Sequence, residues 1–326
     1  MAKLNMVEAI NLALKEEMAR DERIILLGED IGKLGGVFRV TDGLQTLYGP
    51  ERVIDTPLAE AAIVGTAVGL ALGGFKPVPE IQFMGFLPAA LDQIICHVSR
   101  YRNRSRGRFS LPMVIRAPYG AGIHAPEHHS ESTEAILAHL PGLKVVIPSN
   151  PYDAKGLLVA ALRDPDPVIF LEPKRIYRAI REEVPEGDYI VPLSSAKVIR
   201  EGSSVTVVAW GAMVREVLRA AELVAAEGIA AEVIDLRTIS PMDDETIVAS
   251  IRKTGRGVIV HEACRTGGMA AEIMARIHEK AFLYLAAPLE RVTGFDTIVP
   301  LLKLEDYYLP DAGRIARAIR KVVHFT

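Results

Sequence analysis

At 326 residues, with 38 Lys and Arg against 41 Asp and Glu, the chain is nearly neutral, with a formal net charge of −3. Hydrophobic residues make up 49% and charged residues 24%, an ordinary globular balance that excludes a disordered or fibrous chain and gives no footing for nucleic acid. The length exceeds one comfortable core and predicts two domains, while two cysteines, Cys96 and Cys264, are too few for a disulfide framework and lack metal-ligand spacing, which fits a reducing compartment.

The chain opens on an amphipathic helical pattern, with Met6, Val7, Ile10, Leu14 and Met18 at helical spacing. That pattern leaves no room for a leader peptide. No apolar run reaches the roughly 20 residues that span a bilayer, and the richest, from Ala61 to Gly74, is broken by glycines. A cytoplasmic protein without a membrane partner is the expectation.

Short buried strands are predicted at Ile24–Leu27, Val78–Phe83, Met113–Arg116, Lys144–Ile147 and Val168–Leu171. Helical stretches lie near 60–73, 88–104, 130–139 and 151–163, with Pro88 and Pro151 at or near helix starts. Strand and crossover helix in alternation predict a parallel sheet covered on both faces. The segment Glu182–Asp188 is charged and turn-forming, which suits an interdomain connection. A second series follows: strands at Val205–Ala209, Ala231–Asp235 and Gly257–Val260, with helices near 212–227, 268–280 and 311–323. Gly228 is the expected C-cap of the first of these helices. The fold class is α/β: two parallel-sheet, three-layer domains, divided near residue 187.

The segment Ile54-Asp55-Thr56-Pro57-Leu58-Ala59-Glu60-Ala61-Ala62 sets one carboxylate at the mouth of a helix built of small and apolar residues. A helix N-terminus favours the charged form by about 0.3–1 kcal/mol, whereas apolar burial would raise the pKa. On its own, Glu60 reads either as an exposed dipole partner or as a tuned acid. Gln82 and Phe86 leave a strand at the end where open α/β sheets bind ligands, although Phe83 and Phe86 would serve equally as core. The glycine-rich stretch from Ala117 to Ser132 holds His124, His128 and His129, three of the chain's eight histidines. Their spacing matches no helical ligand pair, and a long functional loop with a titrating histidine is the better reading. Alternating Arg100, Arg102, Arg104, Arg106 and Arg108 form a solvated helix end or a subunit contact.

Dispersed segments, in order, give these features a common frame. They include Leu27-Gly-Glu-Asp30, Gly35-Gly-Val-Phe-Arg-Val40, Asp55-Thr-Pro-Leu-Ala-Glu60, Glu80-Ile-Gln-Phe83, Leu91-Asp-Gln93, His129-Ser130 and Pro141-Gly-Leu-Lys-Val-Val146. Asp153-Ala-Lys-Gly-Leu157, Glu172-Pro-Lys174, Asp235-Leu-Arg-Thr238 and Arg291-Val-Thr-Gly294 carry the series into the second half. The chain resembles the beta subunit of the decarboxylating component of 2-oxo acid dehydrogenase complexes of the pyruvate, branched-chain or acetoin type.

The resemblance implies a transketolase-like pyrimidine-binding domain over 1–187 and a transketolase C-terminal domain over 188–326. It implies thiamine diphosphate as cofactor, with Glu60 hydrogen-bonded to a ring nitrogen of the aminopyrimidine as a proton-relay group. Phe86 matches the ring that packs on the pyrimidine, and Leu58 and Gln82 match positions lining that pocket. His129 matches a histidine implicated in acyl transfer to the lipoyl group, whereas His124 and His128 have no counterpart. No Gly-Asp-Gly segment occurs, so magnesium and the diphosphate would be held mainly by an alpha subunit in an α2β2 assembly, with no metal ligand assigned here. The other implied partner is a lipoylated acyltransferase core, docked by the second domain. A transketolase or deoxyxylulose-phosphate synthase is the nearest rival, and it usually carries the diphosphate half in the same chain. A dinucleotide-binding module would need a Gly-x-Gly-x-x-Gly turn, which Gly28-Glu-Asp-Ile-Gly32 does not provide.

Overall fold

The structure, a computed structural model, describes residues 2–325. They form two compact units, the first comprising residues 2–119 and 136–193, the second 120–135 and 194–325. The second break lies a few residues beyond 187, and the Gly120–Ala135 segment clusters with the second unit although residues on both sides of it belong to the first.

In chain order the first unit holds β1 (Ala2–Leu4), α1 (Met6–Arg20), β2 (Ile24–Gly28), α2 (Leu44–Tyr48), β3 (Val53–Asp55), α3 (Glu60–Leu72) and β4 (Lys76–Glu80). It continues through α4 (Leu91–Gln93), α5 (Tyr101–Arg104), β5 (Val114–Tyr119), α6 (Glu134–Ala138, whose first two residues cluster with the second unit), β6 (Lys144–Val146), α7 (Pro151–Arg163), β7 (Val168–Pro173) and β8 (Glu182–Val184). Six of these strands run parallel in the order β6-β7-β5-β4-β2-β3. Every residue of β2, β5 and β7 is buried, as expected of a parallel sheet covered on both faces. α1 begins with a capping box: Asn5 accepts from Glu8 N–H (3.0 Å) and Glu8 accepts from Asn5 N–H (2.8 Å). Its apolar stripe, including Ile10, Leu14 and Met18, is buried, and the helix packs on α7, itself capped by Asn150 with Pro151 in the first turn.

Two expectations change. The segment expected to connect the domains contributes β8, which pairs antiparallel with β1 and so ties residues 182–184 to the first unit. The helix expected over 88–104 is instead a 3₁₀ stretch at 84–90 containing Pro88, then α4, a π-turn at 94–98 and α5. Pro88 lacks the N–H that a regular helix would use. Ser99 adds a second departure by donating its hydroxyl to Ile95 O at 2.9 Å. All five arginines from Arg100 to Arg108 are exposed, and Arg102 pairs with Asp166 at 2.5 Å.

The second unit contains β9 (Lys197–Arg200), β10 (Val205–Ala209), α8 (Met213–Ala225), β11 (Ala231–Asp235), β12 (Thr238–Ser240), α9 (Asp244–Thr254) and β13 (Gly257–Val260). It ends with α10 (Met269–Ala281), β14 (Glu290–Val292), α11 (Glu305–Tyr308) and α12 (Ala312–Val323). Its sheet has the order β14-β13-β10-β11-β9, parallel except for β9. The expected β10, β11 and β13 have the bounds read from sequence. The edge strands and α9 add to the expectation.

Candidate functional site

Adjacent parallel strands bring three chain segments to one end of the first sheet. Gly28, the last residue of β2, lies opposite Asp55 of β3 on one side and Glu80 of β4 on the other. Side chains just beyond those residues gather at the C-terminal edge, where open α/β sheets bind ligands. Beyond β3 comes Glu60, the first residue of α3; beyond β4 come Gln82 and Phe86. Asp55 fixes the loop after β2 by accepting from Gly32 N–H at 2.6 Å. Thr56 N–H donates to Gly28 O at 2.9 Å, setting the turn into the helix.

Glu60, Gln82 and Phe86 are each partly exposed. The Phe86 ring meets Phe83 edge-on, with centroids 5.7 Å apart, and Phe83 is buried in the core. Leu58 is 70% exposed, and Ala61 and Ala62 are exposed too. The apolar flank expected to shelter Glu60 therefore faces outward on this chain. Ala62, Thr66 and Gly69 recur at helical spacing along the uncovered side of α3, while Ile63, Val64, Ala67 and Val68 bury the opposite side.

Glu29, the residue after β2, has its pKa raised by burial first and then by repulsion from Asp30 and Glu60. Its carboxyl and that of Glu60 thus feel one another, a relation the sequence could not reveal because they follow different strands. The Thr56 hydroxyl beside this turn is buried and makes no hydrogen bond within the described residues. Glu60, Gln82, Phe86 and the Thr56 hydroxyl thus follow the ends of neighbouring strands, on the edge where open α/β sheets bind ligands.

Beneath the edge lies a buried network that sequence reading missed. Arg116 of β5 donates through Nη1 to Glu80 (2.7 Å) and through Nε to Glu172 (2.7 Å), and the Tyr177 hydroxyl donates to Glu172 (2.6 Å). Burial raises the pKa of Glu80, outweighing the attraction of Arg116. Burial also pulls Arg116 down, but Glu172 and Glu80 more than reverse it. Phe38 packs on both Phe83 and Tyr177, so the network braces the floor behind Phe86.

His129 belongs to the second unit. It sits in a short 3₁₀ turn, Glu127–His129, with its Nδ1 buried. His128 is exposed, and His124 lies beside Glu305, its Nδ1 at 3.0 Å from Oε2. Among the described residues no group of three or more His, Cys, Asp or Glu is placed to hold a metal ion. No helix among them is long and apolar enough to cross a membrane.

Two family descriptions match the chain: transketolase, pyrimidine binding domain, over residues 2–179, and transketolase, C-terminal domain, over 194–315. A pyruvate dehydrogenase E1 component subunit beta from Acholeplasma laidlawii is 56% identical over 322 residues, covering 99% of this chain and 98% of the relative. The chain belongs to the beta-subunit family of 2-oxo acid dehydrogenase decarboxylating components. Another member, the pyruvate dehydrogenase E1 component subunit beta of Bacillus subtilis, is 49% identical over the full length of both chains. The wider superfamily is visible in a split-gene transketolase, solved as an inactive beta4 tetramer. It is 26% identical with a TM-score of 0.81, over 99% of each chain. The family's two-domain α/β architecture is the one seen here.

Proposed function

We propose that this chain is the thiamine-diphosphate-binding beta subunit of a 2-oxo acid dehydrogenase, active on pyruvate or a branched-chain 2-oxo acid. The names carried by its relatives favour pyruvate. The observation that carries the reading is the position of Glu60 at the first turn of α3, on the same sheet edge as Gln82 and Phe86. Bound there, thiamine diphosphate would supply the carbon nucleophile that adds to the 2-oxo group and stabilises the charge left after loss of carbon dioxide.

This chain's residues do the rest. Phe86 offers a ring face to the pyrimidine, Gln82 offers an amide to its polar edge, and Leu58 supplies apolar wall. Glu60 holds a proton at a pyrimidine ring nitrogen, and its role as relay needs shelter from water. The outward-facing Leu58, Ala61 and Ala62 support a second polypeptide as the source of that shelter. We assign it to the alpha subunit of an α2β2 assembly, which would also hold magnesium and the diphosphate. His129 serves the later step, acyl transfer to a lipoyl group on the acyltransferase core. The enzyme is placed in the cytoplasm.

Co-expression with an alpha-type subunit should give turnover of a 2-oxo acid with an artificial electron acceptor; absence of turnover on pyruvate and on branched-chain acids would sink the proposal. Glu60→Gln should lower that rate by about 10²–10⁴-fold, with the heterotetramer still assembling in gel filtration. The likeness to a split-gene transketolase makes ketol transfer the second reading, and turnover of a ketose phosphate without a 2-oxo acid would select it.

A further inference from the structure

We infer that Glu305 is the positioning residue of the histidine loop, holding it through main-chain hydrogen bonds so that His129 is presented for acyl transfer. The rate part of this inference rests on the role proposed above for His129. The geometric part does not.

Residues 120–135 cluster with the second unit, and their anchors lie there. At the neck, Gly120 N–H donates to Glu131 O at 2.9 Å. Gly120 has a φ of 86°, and a Cβ there would collide with a carboxylate oxygen of Glu262, so only glycine lets the backbone approach. Next, Ala121 is buried against Tyr308 and Leu309, with Val299 alongside. The Glu305 carboxylate, 1% exposed at the start of α11, then accepts from Gly122 N–H through Oε1 and from His124 N–H through Oε2, both at 2.7 Å.

His124 is held at a φ of 55°, a left-handed conformation that a residue with a Cβ avoids unless its surroundings impose it. Its ring Nδ1 lies 3.0 Å from both Glu305 Oε2 and Leu302 O. The far limb is tied to this near one. His129 N–H donates to Pro126 O at 2.9 Å, and the Ser130 hydroxyl bonds Ala125 O (3.3 Å) and Pro126 O (3.2 Å). The geometry is thus handed from Glu305 to His124, through Ala125 and Pro126, to His129. At the exit Glu134 is fully buried beside Trp210 and Glu262.

A buried carboxylate receiving two N–H groups makes charge-assisted bonds that neither an alkyl group nor an amide reproduces. Glutamine would keep one acceptor oxygen and turn its NH₂ toward the other N–H. Asp would keep both oxygens one methylene short.

The test uses the α2β2 holoenzyme. Glu305→Gln should raise amide hydrogen exchange over residues 120–130 by about tenfold or more. It should also lower lipoyl acylation by about tenfold, while decarboxylation read with an artificial acceptor stays within about twofold, and Glu305→Asp should recover part of both losses. Should Glu305→Gln not fold, Glu305→Asp, which keeps both acceptor oxygens one methylene short, should still raise exchange over 120–130, by a smaller factor. Unchanged exchange in whichever variant folds overturns the clamp. Raised exchange with acylation and decarboxylation falling together overturns the positioning role. His129→Ala run in parallel separates the two ideas. Intact acylation there refutes the assigned role of His129, and with it the rate prediction, while the exchange result still decides the clamp.

Discussion

Two buried acidic clusters, one in each unit, are built in opposite ways. In the first, Glu80 and Glu172 share Arg116 as a common cation, and the Tyr177 hydroxyl donates to the other oxygen of Glu172. In the second, Glu134 and Glu262 are both buried, and no cation figures among the influences on Glu134. Burial, with repulsion from Glu262, pushes Glu134 up to about 7, and its own amide and the Trp210 indole N–H only partly oppose this. One cluster stores a paired charge; the other stores a proton. The first arrangement resists pH and depends on a single arginine, whereas the second depends on pH.

Removing the cation breaks the contrast most directly. Arg116→Met leaves two carboxylates facing each other in the core and should destabilise the first unit by about 3–5 kcal/mol, read as a large fall in thermal midpoint or as loss of soluble protein. Unchanged stability would mean that the two acids are already neutral.

Glu134 sharpens the contrast with a sign. Its proton is held more tightly in the folded chain, about 7 against 4.5 unfolded, so its contribution is complete below pH 4.5, declines as pH rises to about 7, and is flat above. His261, stacked on Trp210 with centroids 5.5 Å apart, is pushed down to about 4 by burial and gives the opposite slope, gaining as pH rises from about 4 to 6.5. The two nearly cancel in the native chain. Glu134→Gln, which mimics the protonated acid, should match the native protein at pH 4 and exceed it by up to about 3 kcal/mol at pH 8. Denaturation midpoints of native and variant protein across that range check it, and parallel curves would show that Glu134 titrates in the fold as it does in the unfolded chain.

Tyr177→Phe is the mildest probe. It takes one hydrogen bond from a carboxylate that Arg116 still holds, and should cost about 1.5 kcal/mol with little effect on turnover. A cost approaching that of Arg116→Met would make the hydroxyl an equal partner in the network.

What the sequence made legible was local. The runs at 205–209, 231–235 and 257–260 announced buried parallel strands because both faces of each strand are covered, leaving no polar alternation to confuse the reading. Glu60 stood out because a carboxylate among small apolar residues is visible within a few positions, and α3 begins at that residue. The partners of Arg116 are 36 and 56 positions away, and Glu305 is more than 180 positions from the amides it holds. Such pairings exist only once the chain is folded. β8 was missed for a related reason: its charged composition reads as a turn until β1 is beside it.

The histidine loop's membership in the second unit constrains how this polypeptide can be divided or synthesised. The chain passes from one unit to the other after Tyr119, returns after Ala135 and leaves finally after Leu193. A truncation ending at 193 would therefore keep the loop but discard Trp210, Glu262 and Glu305. During synthesis the same segment must wait for the last of these anchors until residue 305 has been made.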